Sequence, residues 1–563
     1  MLNFFLILFG KLFSKLSQLL NLGNGSTWPG HIALTFNKKF IADILQSSNT
    51  HVIVIAGTNG KTTTAKLIRT ALEANGQSVL QNQSGANLLN GIASTILLNT
   101  NALGRLEKDF AIFEIDENNL PLLLKQITPD YLVLLNLFRD QLDRYGEINS
   151  IAGKWQQAIS VIAKKNPSWH SRQVPQSPKD TQNQKGLLRS FVARNDGEKT
   201  TLILNADDPQ IAYLGMKINN KKFSSLFEGE NQGEGSQVEK SEILTCYFGL
   251  NQTKNHETSP DHAADSTYCP NCGEKLIYTA ITYSHLGNWH CTHCKLTRPT
   301  LNLSDFLFFP LIGQYNQYNT LAAALTLQQI GLDKKSIVAA FKDFHPAFGR
   351  QEKIIYKNKK IQLFLSKNPT SFNQSFATIQ QLARHPQSSR HSSPPAGGEE
   401  FHRTLDSKTK SLDSCLRGND IYNANILFIL NDRIPDGRDV SWIWDTDLDG
   451  LENFKRIFIA GDRVYDMGLR IKYKLGKYSP RSHVSGKRSR LTGERIQNRN
   501  NDPGQARNKI SLNGIEHVKT FENLKTAIDT AVEETPANET LFILPTYSAM
   551  LDARKILTGK RIL

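Results

Sequence analysis

The segment HVIVIAGTNGKTTTAKLIRTALEANG, His51 to Gly76, changes its periodicity twice. Val52 to Ala56 is an apolar, β-branched run of strand length. Gly57-Thr-Asn-Gly60 cannot continue it, and Lys61 to Ala74 resumes at helical spacing. The expected unit is strand, glycine loop, helix, with Lys-Thr at the helix start. Backbone N–H groups of such a loop and the positive end of the helix dipole can surround a phosphate. Lys61 adds a mobile charge, and Thr62 offers a hydroxyl to a bound Mg²⁺. Gly57, Thr58, Asn59, Gly60, Lys61, Thr62 and Thr63 are therefore candidate ATP-binding residues. The longer G-x-x-x-x-G-K-[ST] spacing would need glycine where Ile55 stands, so this loop is of a shorter kind. A turn that binds nothing would explain neither the lysine nor the three threonines.

Downstream, Phe110 to Asn119 (FAIFEIDENN) reads as a strand ending in Glu114, Asp116 and Glu117. Carboxylates at a strand end beside a phosphate loop can hold Mg²⁺, or simply cap an acidic loop. Ser84 to Asn87 is a turn or a substrate loop. Tyr131 to Asn136 is a further strand, and the charged run NLFRDQLDRYGE, Asn136 to Glu147, follows it directly, as a polar substrate site would require. Thr201 to Asn205 is another strand, closed by Asn205-Ala-Asp-Asp-Pro209. Strands alternating with helical segments predict an α/β domain with a mostly parallel sheet and ligands at the carboxyl ends of its strands.

Cys269-Pro-Asn-Cys272 and Cys291-Thr-His-Cys294 are C-x₂-C pairs with the spacing of a zinc ribbon, and Tyr278, Tyr283 and Trp289 between them supply strands. Four thiolates would close the coordination shell, so a zinc here is expected to be structural. A disulfide pair is the competing reading, disfavoured where no secretion signal is present. His285, His290 and His293 are expected at the surface. Cys246 and Cys415 fit no pattern.

From Phe309 the α/β pattern resumes. Gly313-Gln-Tyr-Asn316-Gln-Tyr-Asn319 opens a helix, where Asn316 is either a cap or a ligand residue. A last α/β domain follows, with apolar strands near Asn425, Phe454 and Glu539. The expected division is a helical segment at 1–46, an ATP-binding domain at 47–352 and a C-terminal domain at 353–563. The ribbon occupies about 266–297, and polar insertions without a core fall at about 164–199, 384–419 and 477–510.

Charge and hydropathy bound the function classes. The formal charge of the 563-residue chain is +15, but residues 477–509 hold nine Lys/Arg against two acids, so one solvated stretch carries +7 of it. Nucleic-acid binding is not expected: between Cys269 and Cys294 the single cation is Lys275. The nine-residue apolar start is too short to span a bilayer and lacks a basic leader. A cytoplasmic protein is expected. Leu12, Phe13, Leu16, Leu19 and Leu20 form a helical stripe that either docks on the first domain or lies on a membrane surface.

The motifs GTNGKTT, EIDENN, NLFRDQLDRYGE, the four-cysteine ribbon, YNQYN, KNP, NDRIPDGRDVSWIWD and LPTYSAML together resemble the MurT family, subunits of lipid II isoglutaminyl synthase within the Mur ligase superfamily. The resemblance spans about Gly10 to Leu551 apart from the insertions. It implies a Mur-ligase-like central P-loop domain with a parallel sheet and an inserted four-cysteine zinc ribbon, plus a C-terminal α/β domain. It implies ATP-dependent phosphorylation of the D-glutamate α-carboxylate of lipid II, with ammonia displacing the phosphate. In that family Glu114 matches a residue that helps bind the metal, Asn316 and Asn319 face adenine, and Arg350 lies near the phosphates. Ammonia comes from a separate GatD-like glutaminase, and Asp439 matches the aspartate that completes its triad across the interface. Asp436 and Asp445 are rival candidates, and a turn aspartate capping its own backbone is the plain alternative. Lipid II would be met at the inner face of the membrane. A stand-alone ligase adding an amino acid to a peptidoglycan precursor or glutamates to folate is the second class consistent with the loop; it would need an amino-acid pocket.

Overall fold

The computed structural model describes residues 2–19, 27–82, 86–101, 103–139, 148–164, 200–219, 243–251, 264–384, 422–434, 436–437, 439, 441–476 and 517–559. The expected insertions lie outside the described residues, save Lys164 and Arg384, which end helices. So do Ser84, Gly85, Cys415 and residues 140–147 of the charged run. The chain forms two compact units, Met1–Glu352 with Asn368–Gln374 and Ile562–Leu563, and Lys353–Lys367 with Ser375–Arg561.

The first unit begins with α1 (Leu2–Leu19), α2 (Trp28–Phe36) and α3 (Phe40–Gln46). It continues through β1 (His51–Ala56), α4 (Lys61–Ala74), β2 (Val79–Gln81), α5 (Leu89–Asn99), β3 (Phe110–Glu114), α6 (Leu120–Gln126), β4 (Tyr131–Leu134) and α7 (Ile148–Lys164). Then come β5 (Thr201–Asn205), α8 (Pro209–Asn219), β6 (Leu244–Phe248), β7 (Ile277–Tyr283), β8 (Leu286–His290), α9 (Gln314–Ile330) and α10 (Lys334–Lys342). Its six-stranded parallel sheet has the order β2-β3-β1-β4-β5-β6. β1 is apolar throughout because both of its faces are covered. Val52, Val54 and Ala56 enter the core under α3, α5, α6 and α7, while Ile53 and Ile55 enter the one under α4, α9 and α10. β7 and β8 form a separate antiparallel pair whose turn, Ser284-His285, has Ser284 at φ 50°.

The second unit carries β9 (Arg350–Tyr356) from its fourth residue, β10 (Lys359–Phe364), α11 (Pro369–Arg384) from its seventh, β11 (Tyr422–Ile429), β12 (Phe454–Ala460), α12 (Val464–Leu475), β13 (Val518–Thr520), α13 (Leu524–Glu533), β14 (Thr540–Pro545) and α14 (Tyr547–Thr558); the first residues of β9 and α11 belong to the first unit. The sheet order is β13-β12-β11-β14-β10-β9, parallel from β13 to β10. The α/β class, the parallel sheets and the inserted ribbon are those expected from the sequence.

Candidate functional site

Crossing from β1 into α4 demands backbone that only glycine takes without strain. Gly57 has φ 142° and Gly60, the residue before α4, φ 93°. A Cβ on Gly57 would sit 2.9 Å from Leu135 Cβ, and one on Gly60 2.0 Å from Asn319 Oδ1, so neither position has room for a side chain. The loop is then clamped from the end of β4. Thr58 N donates to Asn136 O (2.9 Å) and Asn59 N to Asn136 Oδ1 (2.9 Å), while Asn136 Nδ2 donates to Asn59 O (3.1 Å). Thr58 Oγ1 accepts from Phe138 N at 3.0 Å.

Lys61 and Thr62 open the helix as expected and find carboxylate partners. Lys61 Nζ donates to Gly57 O, lies 3.4 Å from Thr58 O and 3.5 Å from Glu117 Oε1, a buried carboxylate. A bound phosphate would replace those loop carbonyls. Thr62 Oγ1 donates to Glu114 Oε2 at 2.7 Å, and Gln81 Nε2 to Glu114 Oε1 at 3.0 Å. Burial raises the Glu114 pKa; Thr62, Gln81 and the charges of Lys61 and Arg350 pull it back only in part. The hydroxyl and the carboxylate make an all-oxygen donor pair beside the loop, which suits a hard cation such as Mg²⁺. Thr63 is buried in the first turn of α4.

α9 brings Asn316 and Asn319 to the same place. Asn316 Nδ2 donates to Ile312 O (2.8 Å), Asn319 Nδ2 to Asn316 Oδ1 (3.2 Å), and Asn319 Oδ1 faces Gly60. Asn316 is the third residue of the helix and both asparagines are buried, so it is not the cap; Gly313 stands there. Arg350 is close enough to act on the charge of Glu114. Its neighbour Gln351, in the left-handed region at φ 59°, donates to Ile312 O at 2.7 Å.

The four ribbon sulfurs lie within 4.8 Å of one another, with Cys269 and Cys294, and Cys272 and Cys291, 3.5 Å apart. Burial tends to raise the Cys294 thiol, but Asn271, the Leu296 N–H and the neighbouring sulfurs bring it down to about 6. Four converging sulfurs are the donor set zinc takes. The ribbon also reaches the sheet. Trp289 Nε1 donates to Ala206 O (3.1 Å), Gly287 N to Asp207 O (3.1 Å), and His285 Nε2 lies 3.4 Å from Asp208 Oδ2. His285, expected at the surface, is fully buried. Asp208 accepts from Leu137 N at 2.8 Å, and the His285 ring packs 4.8 Å from that of Phe138. Asp207 is held by Arg298 and by Tyr318 Oη at 2.6 Å. Arg139, expected at a polar substrate site, instead pairs with the buried carboxylate of Asp265.

In the second unit Asp439 is exposed and its Oδ1 accepts from Ser441 N at 2.8 Å, a contact that lowers its pKa. Asp436 is buried and bonded to the Ser548 N–H (2.8 Å) and hydroxyl. Of the VSWIW run, Ile443 is buried as an anchor, whereas Trp444 is half exposed and stacks edge-on to Tyr473 at 5.9 Å.

A parallel sheet with a short glycine loop, Lys-Thr at the helix start and a strand-end glutamate beside it suits a nucleotide triphosphate and its metal. The Mur ligase middle domain matches residues 55–166, and the MurT ligase C-terminal domain matches residues 407–550. The chain is similar to MurT subunits over most of its length. It is 29% identical to the lipid II isoglutaminyl synthase (glutamine-hydrolyzing) subunit MurT of Streptococcus pneumoniae, over 96% of this chain and 94% of that one. It is 28% identical to the subunit of the same name from Staphylococcus aureus, over 80% and 83%. Among solved structures, a pseudomurein peptide ligase type C from Methanothermus fervidus aligns with 91% of this chain and 79% of its own at 18% identity and a TM-score of 0.48.

Proposed function

We propose that this chain is the ATP-using subunit of a lipid II amidating ligase in peptidoglycan synthesis. The γ-phosphoryl group of ATP passes to the α-carboxylate of the stem-peptide D-glutamate, giving an acyl phosphate and ADP. Ammonia attacks the acyl carbon, inorganic phosphate leaves with the C–O bond electrons, and the nitrogen loses a proton, leaving D-isoglutamine. Such transfers depend on positioning and charge rather than covalent help from the protein. N–H groups of Gly60 and the first turn of α4 hold the phosphates, Lys61 neutralises charge on them, and Thr62 with Glu114 would hold Mg²⁺, which supplies further charge neutralisation there. Arg350, Asn316 and Asn319 complete the nucleotide site, and Cys269, Cys272, Cys291 and Cys294 hold a structural zinc.

The likeness to the Streptococcus pneumoniae subunit over nearly the whole of both chains carries this reading. A GatD-like glutaminase would supply ammonia as the second subunit of a heterodimer, with Asp439 completing its triad. The lipid-linked acceptor puts the enzyme at the inner membrane face. The test is mass spectrometry of lipid II incubated with the chain, ATP, Mg²⁺ and ammonium: conversion of the acid to the amide is expected. ATP-dependent addition of an amino acid instead would assign the chain to the stand-alone ligases.

A further inference from the structure

On α1, Leu6, Ile7 and Gly10 face the first unit; Leu6 and Ile7 join its core, and a Cβ on Gly10 would meet Leu97 at 2.8 Å. At roughly 100° per residue, Leu2, Phe5, Leu8, Phe9, Leu12 and Leu16 fall on the opposite side, within an arc of ~120°. All six are 47–60% exposed. Single exposed apolar residues are ordinary, but a contiguous stripe of six on one helix face is not. The stripe continues at its edges. Asn3 is bonded to Asn37 and Asp43, which brings Phe36, 69% exposed, to the start of α1. Gly104 lies against Ile7, which brings Leu103, 82% exposed, to its side.

The surrounding charge is mainly basic. The first 42 residues hold Lys11, Lys15, Lys38 and Lys39 and no acid. By the same helical spacing Lys15 lies on the rim of the stripe, where a lysine can lay its stem along an apolar surface and keep its ammonium in headgroup water, while Lys11, further round, donates to Thr100 O. Arg105 is exposed beside Leu103. The nearest carboxylates, Asp43 and Glu107, are bonded to neutral amides of Asn3, Asn37 and Asn101, so five cations of the patch, Lys11, Lys15, Lys38, Lys39 and Arg105, stand against two acids. No described helix is long and apolar enough to cross a membrane. An apolar face with mainly basic surroundings, on a helix fixed to a folded domain by its other side, suits an interface of anionic headgroups over acyl chains.

We propose that the outer face of α1, with Phe36 and Leu103, docks this protein on an anionic phospholipid bilayer. The proposal adds to the amidation reading a way of reaching a lipid-linked acceptor, but its test needs neither ATP nor lipid II. The full chain is floated with vesicles of equal phosphatidylglycerol and phosphatidylcholine, and with phosphatidylcholine alone. Partitioning onto the anionic vesicles is expected to exceed that onto the neutral ones about tenfold. The double variant Phe5→Ser, Phe9→Ser, at exposed positions and with unchanged thermal unfolding, should lose at least tenfold, and Lys15→Glu severalfold. Absence of vesicle binding by the wild type, or binding equal in the double variant, overturns the proposal. Sedimentation decides the rival occupant: self-association abolished by the same double variant, without vesicle binding, would assign the face to a second copy. Because the vesicles carry no acceptor, failure here leaves the amidation reading intact, and failure of that reading leaves this result standing.

Discussion

Glu114 is held in two opposed ways. Its burial disfavours the charged form, so its folded pKa lies above the ordinary carboxylate value, yet the proposed metal site needs it ionised. The folded state then binds a proton more tightly than the unfolded chain, and stability falls as pH rises from the ordinary carboxylate pKa through the raised one. Glu114→Gln keeps the shape and removes the charge. It should raise the melting temperature at neutral pH by a margin that shrinks on acidification, while cutting ATP turnover by about 10²–10³. Thermal unfolding across pH with ADP release checks both; a variant less stable than wild type at pH 7 would show that the carboxylate, not its neutral form, is what the fold prefers. Lys61→Ala should cost turnover to a similar extent, about 10²–10³ in rate, because its charge is needed mainly when charge develops on the phosphates. Full turnover by Lys61→Ala would remove this loop from the nucleotide site.

Four sulfurs would leave a bound zinc no open coordination position, yet the ribbon reaches the proposed nucleotide loop. Its turn residue His285 touches Asp208 and Phe138; Asp208 takes the Leu137 N–H, and Asn136 and Phe138 clamp Thr58 and Asn59. Cys272→Ser or a zinc chelator should therefore lower the melting temperature and also weaken nucleotide binding severalfold in the folded protein, and His285→Ala should weaken it without touching a sulfur. Titration with a fluorescent ADP analogue reads this; unchanged affinity in all three would confine the ribbon to stability. Elements of this kind are legible in the sequence to different degrees. β1, the loop and α4 are local in sequence, and the change from a short continuous apolar run to a 3.6-residue period announces them. The cysteine spacing likewise stands by itself. Glu117 is legible as a strand-end carboxylate, but the partner Gln81 and the clamping role of Asn136 are not, because the strand order β2-β3-β1-β4 brings them to the loop and no local pattern encodes that order. His285 misleads for the same reason: a polar turn residue looks exposed until the hairpin is seen to insert against Asp208. Arg139 looks like a substrate ligand because its partner Asp265 lies 126 residues away.

At the scale of the whole molecule, the described cysteines are those of the ribbon and the buried Cys246, whose pKa burial raises, so none of them is poised as a glutaminase nucleophile. Under the proposed function ammonia comes from a second chain, and Asp439 is where the first would contribute to its release. Its rival Asp436 is buried and committed to Ser548, which leaves it unable to reach outward. Asp439 is exposed, carries its charge readily because Ser441 lowers its pKa, and sits just before a turn that presents the half-exposed Trp444. A third triad member acts by fixing the tautomer of a histidine on the partner, which needs an ionised carboxylate rather than its amide. Asp439→Asn can still accept from the Ser441 N–H, so the fold should be unchanged. Glutamine-driven amidation by the heterodimer should fall by about 10²–10⁴ on the scale of such tautomer defects, while amidation from added ammonium stays near wild type. A parallel measurement of complex formation separates a lost partner from a lost triad: the variant should still bind the glutaminase. Equal loss from glutamine and from ammonium would move Asp439 to the acyl-phosphate site, and intact glutamine use would leave it as the cap of its own turn.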